Sequence, residues 1–188
     1  LGPEQSGYMM SEGYDLYLKL LEEAVLEERG EEKKIETECA ADLTLNANIS
    51  ERYVASPEQR MDLYRRIAAI RTNDDASDLM DEMIDRYGEP PKSVLALLDV
   101  ALLRAAAAKA GVSDITQKKD ALRFTLAVFR PEALVQVCGL TKYKFRLTLC
   151  AGETPMLTLK LKPGADVLET ALELVEDLKL ATQALEKA

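Results

Sequence analysis

Hydrophobic and polar positions change period three times along the 188 residues of the chain. From Tyr14 to about Glu28, Leu16, Tyr17, Leu20, Leu21, Ala24 and Val25 recur at helical spacing and predict an amphipathic helix with an acidic outer face. "LGPEQSG" before it reads as a loop, and "RGEEKK" after it as a charged linker and the expected boundary. In "DLTLNANIS", Leu43, Leu45, Ala47 and Ile49 alternate with polar residues, the pattern of a strand or extended segment with one buried side. Ser56, Pro57 and Gln59 then form an S-P-x-Q helix start, a capping box whose helix is expected to run to about Arg71 and bury Met61, Tyr64, Ile67, Ala68 and Ile70. "TND" restarts the chain into a second helix. Gly88 should end it as a left-handed cap, with Pro90 and Pro91 barring continuation. A third helix, from about Pro91 to Ala110, is apolar nearly all round and belongs inside a core.

The last third alternates instead. "ALRFTLAVF" and "YKFRLTL" predict strands with Leu122, Phe124, Leu126 and Val128, then Tyr143, Phe145, Leu147 and Leu149, on buried faces. A short helix from Pro131 separates them, and "CAGET" should turn the second strand into "PMLTLKLK" as an antiparallel hairpin. A final helix is expected to bury Val167, Leu168, Ala171, Leu172, Val175 and Leu178. The predicted fold class is α+β: N-terminal helices followed by a small, mainly antiparallel sheet with covering helices.

Composition narrows the chemistry. Apolar residues make up 47% of the chain, enough for one good core or two small ones, and no apolar run approaches the roughly 18 residues of a membrane span. No signal-peptide pattern is visible, so the expected compartment is the cytoplasm, without membrane association. Cys39, Cys138 and Cys150 are odd in number and widely spaced, as buried free thiols are. The chain contains no histidine, which removes Ser-His-Asp and Cys-His activation and most zinc and iron sites. Neither phosphate-binding glycine motif occurs. No cofactor, no metal and no enzymatic activity are therefore expected.

The net charge of −9 is unevenly spread. Residues 118–146 reverse the general sign: Lys118, Lys119, Arg123, Arg130, Lys142, Lys144 and Arg146 face only Asp120 and Glu132. This stretch is the candidate nucleic-acid footprint, with Arg123, Lys142, Lys144 and Arg146 as candidate contacts.

The acids of "DEMIDRYGEPP" lie near the end of the second helix. At about 100° per residue, Leu79, Met80, Met83, Ile84 and Tyr87 share one side, while Asp78, Asp81, Glu82 and Asp85 form an acidic ridge opposite. A hard-cation site would need a second element to supply converging ligands, and acid-base catalysis would need burial or close pairing. A solvated face with an i,i+4 pair between Glu82 and Arg86 is the plain alternative. Asp85 argues for a partner, because a carboxylate in the last turn meets the negative end of the helix dipole.

From Leu43 to Val112 the chain resembles the C-terminal (TRCF) domain of the bacterial transcription-repair coupling factors. The positions that carry the resemblance are Tyr53 and Val54; Arg60, Tyr64, Arg65, Arg66 and Ile67; Glu82, Met83, Asp85, Arg86, Tyr87, Gly88 and Pro91; and Gly111 with Val112. A proline often found before the Tyr53 position is missing from "NISERY". "LGPEQSG" with "GYDLYLKLLEEAV" is similar to the tail of the second RecA-like motor domain and the helix leaving it. Residues 1–34 would then be motor-domain tail and linker helix, and residues 35–188 the C-terminal regulatory domain, with Leu1 marking a cut from a larger protein.

The resemblance implies a parent that is an ATP-dependent DNA translocase, acting on stalled RNA polymerase and recruiting the excision-repair protein UvrA. It implies a non-catalytic, autoinhibitory role for this domain, which would clamp a UvrB-like, UvrA-binding module of the same polypeptide. UvrA would thus be reached indirectly, and RNA polymerase and DNA through the parent. Glu82 and Asp85 would face arginines of that module, with Asp78 and Asp81 beside them. The alternative is a nucleic-acid-binding accessory domain using the basic strands 118–146.

Overall fold

The computed structural model describes residues 38–187; the expected helix of residues 14–28 and the linker after it lie outside them. The described residues fall into two compact units. One is Thr44–Leu102, and the other joins the segment ending at Leu43 to the chain from Leu103 onward.

The first unit is helical. Ala47 and Ile49 are buried and Leu45 half-buried, as the alternation predicts, and Leu43, which belongs to the other unit, is buried as well; from Thr44 on the segment is extended without a strand partner. Side-chain and helix-end groups take up its backbone instead: Ile49 N–H donates to the Tyr64 hydroxyl (2.9 Å) and Asn48 N–H to the Ser93 carbonyl (3.2 Å). Helix α1, Pro57–Ala68, starts where Ser56 Oγ accepts from Gln59 N–H. It stops three residues before the expected Arg71, and it buries Leu63, Ile67 and Ala68 while Met61 is 38% exposed. The predicted period was right and its phase slightly wrong, since Leu63 rather than Met61 points inward. No return bond from the Gln59 side chain completes the box among the described contacts. The complete capping box belongs to α2, Asn73–Tyr87, formed by Thr72 and Asp75. Gly88 ends α2 at φ 84°, ψ −172°, a positive-φ region open essentially to glycine but not the left-handed helical one expected. Helix α3, Lys92–Lys109, follows, and Val94, Leu97, Leu98 and Ala101 join Ile67, Leu79 and Met83 in this unit's core.

The second unit is built on a five-stranded sheet in the order β1-β2-β3-β5-β4. Its strands are β1 (Ala40–Asp42), β2 (Val112–Lys118), β3 (Ala121–Leu126), β4 (Leu147–Cys150) and β5 (Met156–Lys160). Only the β1–β2 pair is parallel, and β4–β5 is the expected antiparallel hairpin. The α+β class is thus the observed one. Strands β1 and β2 escaped the sequence reading, because "SDITQK" mixes one strong apolar residue with polar ones and β1 is three residues long. Ile115, Phe124 and Leu157 are aligned across three strands on one face and fully buried. Helices α4 (Pro131–Cys138) and α5 (Val167–Glu186) pack against each other and bury Leu134, Val137, Leu174, Val175 and Leu178.

Burial expectations fail at four places here, for local reasons. β3 ends at Leu126, so Val128 lies beyond it and is exposed. Tyr143 is buried but sits in a 3₁₀ turn, Thr141–Tyr143, rather than a strand, and the next turn puts Phe145 at φ 64° and 94% exposed. Leu147 and Leu149 are only half-buried because β4 is an edge strand. On α5 the inward stripe takes Leu174, whereas Leu172 is exposed and Val167 and Leu168 are half-buried.

Two glycine and arginine positions hold this unit's backbone. Gly111 (φ 81°) accepts at its carbonyl from both Ala127 N–H (2.8 Å) and Val128 N–H (3.2 Å), bringing Val128 so near that an added Cβ would lie 3.0 Å from Val128 Cβ. Buried Arg104 donates Nε–H to the Cys39 carbonyl (2.8 Å), fastening the approach to β1. Among the described residues no helix is long and apolar enough to cross a membrane.

Candidate functional site

The acidic ridge is positioned by the inward stripe of α2. Ala76, Leu79 and Met83 are buried and Met80 and Tyr87 packed behind them, which leaves Asp78, Asp81 and Asp85 exposed. Ile84, expected among the core residues, is 38% exposed at the margin of the stripe. Tyr53 locks the C-terminal end of the helix: its ring meets Tyr87 edge-on at 5.8 Å, and its hydroxyl donates to the Gly88 carbonyl (2.8 Å). The ridge is therefore carried on a helix fixed at both ends.

Its four acids are not equivalent. Glu82 is half-exposed and accepts from the Arg66 guanidinium of α1, with Arg86 3.5 Å away as the anticipated i,i+4 pair. The Arg66 hydrogen bond, helped by the charges of Arg66 and Arg86, holds the Glu82 carboxyl below its ordinary value. Arg86 also lies over the Tyr87 ring, 5.3 Å from its centroid. No described cation forms an ion pair with Asp78, Asp81 or Asp85. Arg66 is the element the sequence could not supply. It is sixteen residues from Glu82, and only helix pairing brings them together.

The basic candidates are not equally available. Arg123 stands exposed on β3. Lys142 is already committed to Asp177 (2.7 Å) and Glu173 (3.0 Å) of α5, and Tyr143 donates its hydroxyl to the same Asp177. Lys144 lies over the exposed Phe145 ring at 5.3 Å. Arg146 donates to the Lys160 carbonyl (3.1 Å) and the Lys142 carbonyl (3.0 Å). Among the described residues no group of three or more histidine, cysteine or acidic side chains could hold a metal.

Comparison with known proteins resolves the family. Residues 43–136, half of the chain, match the model of the TRCF domain. The chain is 40% identical over 140 residues, 74% of its length, to the transcription-repair-coupling factor of Bacillus subtilis (strain 168).

The chain belongs to the transcription-repair coupling factor family. A further relative, from Staphylococcus haemolyticus (strain JCSC1435), is 30% identical over 99% of the chain. The chain spans only 12% of the Bacillus protein and 16% of the Staphylococcus one. In fold it is similar to a crystal structure of the C-terminal domain of transcription-repair coupling factor, with a TM-score of 0.70 over 81% of this chain and 99% of that one at 19% identity.

Most residues carrying the family pattern have structural tasks. Val54 is buried, Arg60 donates to the Val54 (2.9 Å) and Ala55 (3.0 Å) carbonyls, Tyr64 holds Ile49, and Gly88 and Gly111 take positive φ. Asp85 differs: it is exposed and has no described ion-pair partner.

Proposed function

We propose that this chain is a non-catalytic protein-interaction domain that keeps its parent, an ATP-dependent DNA translocase of transcription-coupled repair, autoinhibited. The α2 ridge docks on a basic surface of the UvrB-like module of the same polypeptide and so masks the module's UvrA-binding face. RNA polymerase and DNA are engaged through the parent. The observation that carries this reading is the presentation of Asp78, Asp81 and Asp85, exposed and without a described cation, on a helix anchored by Tyr53 and Thr72. Asp85 works against the helix dipole, so its placement is not explained by helix stability. Arg66 and Arg86 leave Glu82 ionised and oriented, and a carboxylate has lone pairs enough to accept from a partner's guanidinium as well.

The test is a full-length parent with Glu82→Lys and Asp85→Lys. Like charges facing each other across a desolvated interface weaken docking strongly, so the double variant should bind UvrA at least about tenfold more tightly than wild type without ATP turnover or stalled polymerase. Charge reversal on the module's arginines should restore masking. Unchanged UvrA binding by a folded double variant would reduce the ridge to a solvated helix face.

A further inference from the structure

Strand register gathers a set of cations that chain order scatters. Alternation puts Phe124, Leu122, Leu157 and Leu159 on the buried face, so Lys118, Ala121, Arg123, Thr125, Thr158 and Lys160 belong to the opposite face. Lys118 is registered against Ala121, and Ala121 against Lys160; Lys160 N–H in turn donates to the Arg146 carbonyl (2.9 Å). One cross-strand row at the turn end of the sheet thus carries Lys118, Lys160 and Arg146. The next row runs Thr116, Arg123, Thr158, Thr148. With strands about 4.8 Å apart, Lys118 and Lys160 stand about 10 Å from each other with only Ala121 between.

This face is open. None of its residues is buried, and Lys118, Arg123, Thr148 and Lys160 are exposed. Asp42 and Asp114, the carboxylates in register with it, lie toward the β1 margin, and Asp114 accepts from Thr116 Oγ1 (2.7 Å). Lys118, Arg123 and Lys160 form no ion pair with a described carboxylate, in a chain of net charge −9. Beside Arg146, at the edge strand, Phe145 presents its ring 94% exposed from a backbone conformation at φ 64° that L-residues avoid. The Tyr143–Asp177 hydrogen bond and the two Arg146 bonds hold the turn that displays it.

We propose that the open face of this sheet binds single-stranded nucleic acid. Phosphates lie over Lys118, Arg123, Lys160 and the threonine hydroxyls between them, and a base stacks on Phe145. Cations interleaved with hydroxyl donors and bordered by one exposed aromatic ring match a flexible polyanion that also offers π faces. An anionic membrane would call for a broad apolar face to insert, and between its cations this face carries Thr116, Thr125, Thr148 and Thr158, with Met156 and Cys150 confined to the row farther from Lys118 and Lys160. The inference is independent of the ridge on α2.

The experiment is fluorescence anisotropy of the whole chain with a labelled oligothymidylate of about 20 nucleotides, against a duplex of equal length. With about four phosphates neutralised, affinity for the single strand should fall about 50-fold between roughly 50 and 200 mM salt. Lys118→Glu with Lys160→Glu should weaken binding at least about tenfold, and Phe145→Ala roughly fivefold or more. Lys118→Ala with Lys160→Ala serves if the reversed pair does not fold, with a smaller loss in the same direction. Lys92→Glu, on α3, should bind as wild type. The proposal is overturned if the oligothymidylate does not bind at about 100 μM protein at low salt, where nonspecific contacts are already visible. It is equally overturned if folded lysine variants bind unchanged, if the duplex binds as well and Phe145→Ala is silent, or if polyglutamate or phosphatidylserine vesicles compete as effectively as the oligonucleotide.

Discussion

Arg66 and Glu82 are joined guanidinium to carboxylate across α1 and α2, so one of the four ridge acids already has a cation from its own chain. Asp78, Asp81 and Asp85 are exposed and form no ion pair with a described cation. Any basic surface that docks here either shares Glu82 with Arg66 or displaces it, and Arg66 thereby sets how firmly the ridge can be gripped.

The state of that pair is readable by titration. Because the Arg66 hydrogen bond lowers the folded Glu82 carboxyl below its ordinary 4.5, the unfolded chain binds the extra proton first as pH falls. The pair's stabilisation is therefore fully present above 4.5 and is lost as pH drops through the folded value. NMR titration of the Glu82 side chain should give a midpoint below 4.5, and Arg66→Ala should raise it. A wild-type midpoint at or above 4.5 would show that the pair does not hold in solution.

Helix starts should respond unequally to capping mutations. Ser56→Ala removes the acceptor of Gln59 N–H and should cost about 1 kcal/mol by urea denaturation. Thr72→Ala breaks the complete box with Asp75 and should cost at least as much, about 1–2 kcal/mol. Gln59→Ala should be close to neutral, since only its backbone takes part. A Gln59→Ala loss equal to that of Ser56→Ala would restore the box predicted from sequence.

Gly88→Ala and Gly111→Ala separate strain from collision. Around Gly88 an added Cβ meets nothing within 4 Å, so its φ of 84° alone sets the cost, about 1–3 kcal/mol. At Gly111 the same strain is joined by the 3.0 Å approach to Val128 Cβ. Gly111→Ala should accordingly be the more destabilising, and Val128→Ala should rescue part of the difference in thermal unfolding. No rescue would mean that strain accounts for both.

Tyr143 couples its 3₁₀ turn to α5. Burial first, then the hydrogen bond to Asp177, pushes the phenol well above its ordinary value of 10.0. The folded state keeps a proton that the unfolded state releases, so this contribution is intact below pH 10 and declines as pH rises beyond it. Ultraviolet titration of the folded protein should leave one tyrosine un-ionised past the others, and Tyr143→Phe should abolish that component. The same variant should cost about 1.5–3 kcal/mol near neutral pH, the range for a hydrogen bond to a charged group.

How much of this was legible in the sequence depended on how local its cause was. The start of α1 at Ser56-Pro57, the arrest of α2 at Gly88 and the β4–β5 hairpin are written in neighbouring residues, and the helical period put Asp78, Asp81 and Asp85 on one exposed side. A window of residues suffices there, because caps, turns and amphipathic periods act over three or four positions. The same window was misled at Phe145, where perfect alternation was overruled by a turn anchored to Asp177 on α5, more than thirty residues away. It also missed β1 and β2, whose stability comes from strand partners rather than from their own apolar content. The candidate surfaces divide in the same way. Composition and period alone exposed the acidic ridge, but tertiary structure decided that Glu82 is held by Arg66, that Lys142 is neutralised by α5, and that Lys118 and Lys160 share one row. Side chains so far apart in the chain have no common physical constraint until hydrogen-bonded strands and packed helices fix their distance.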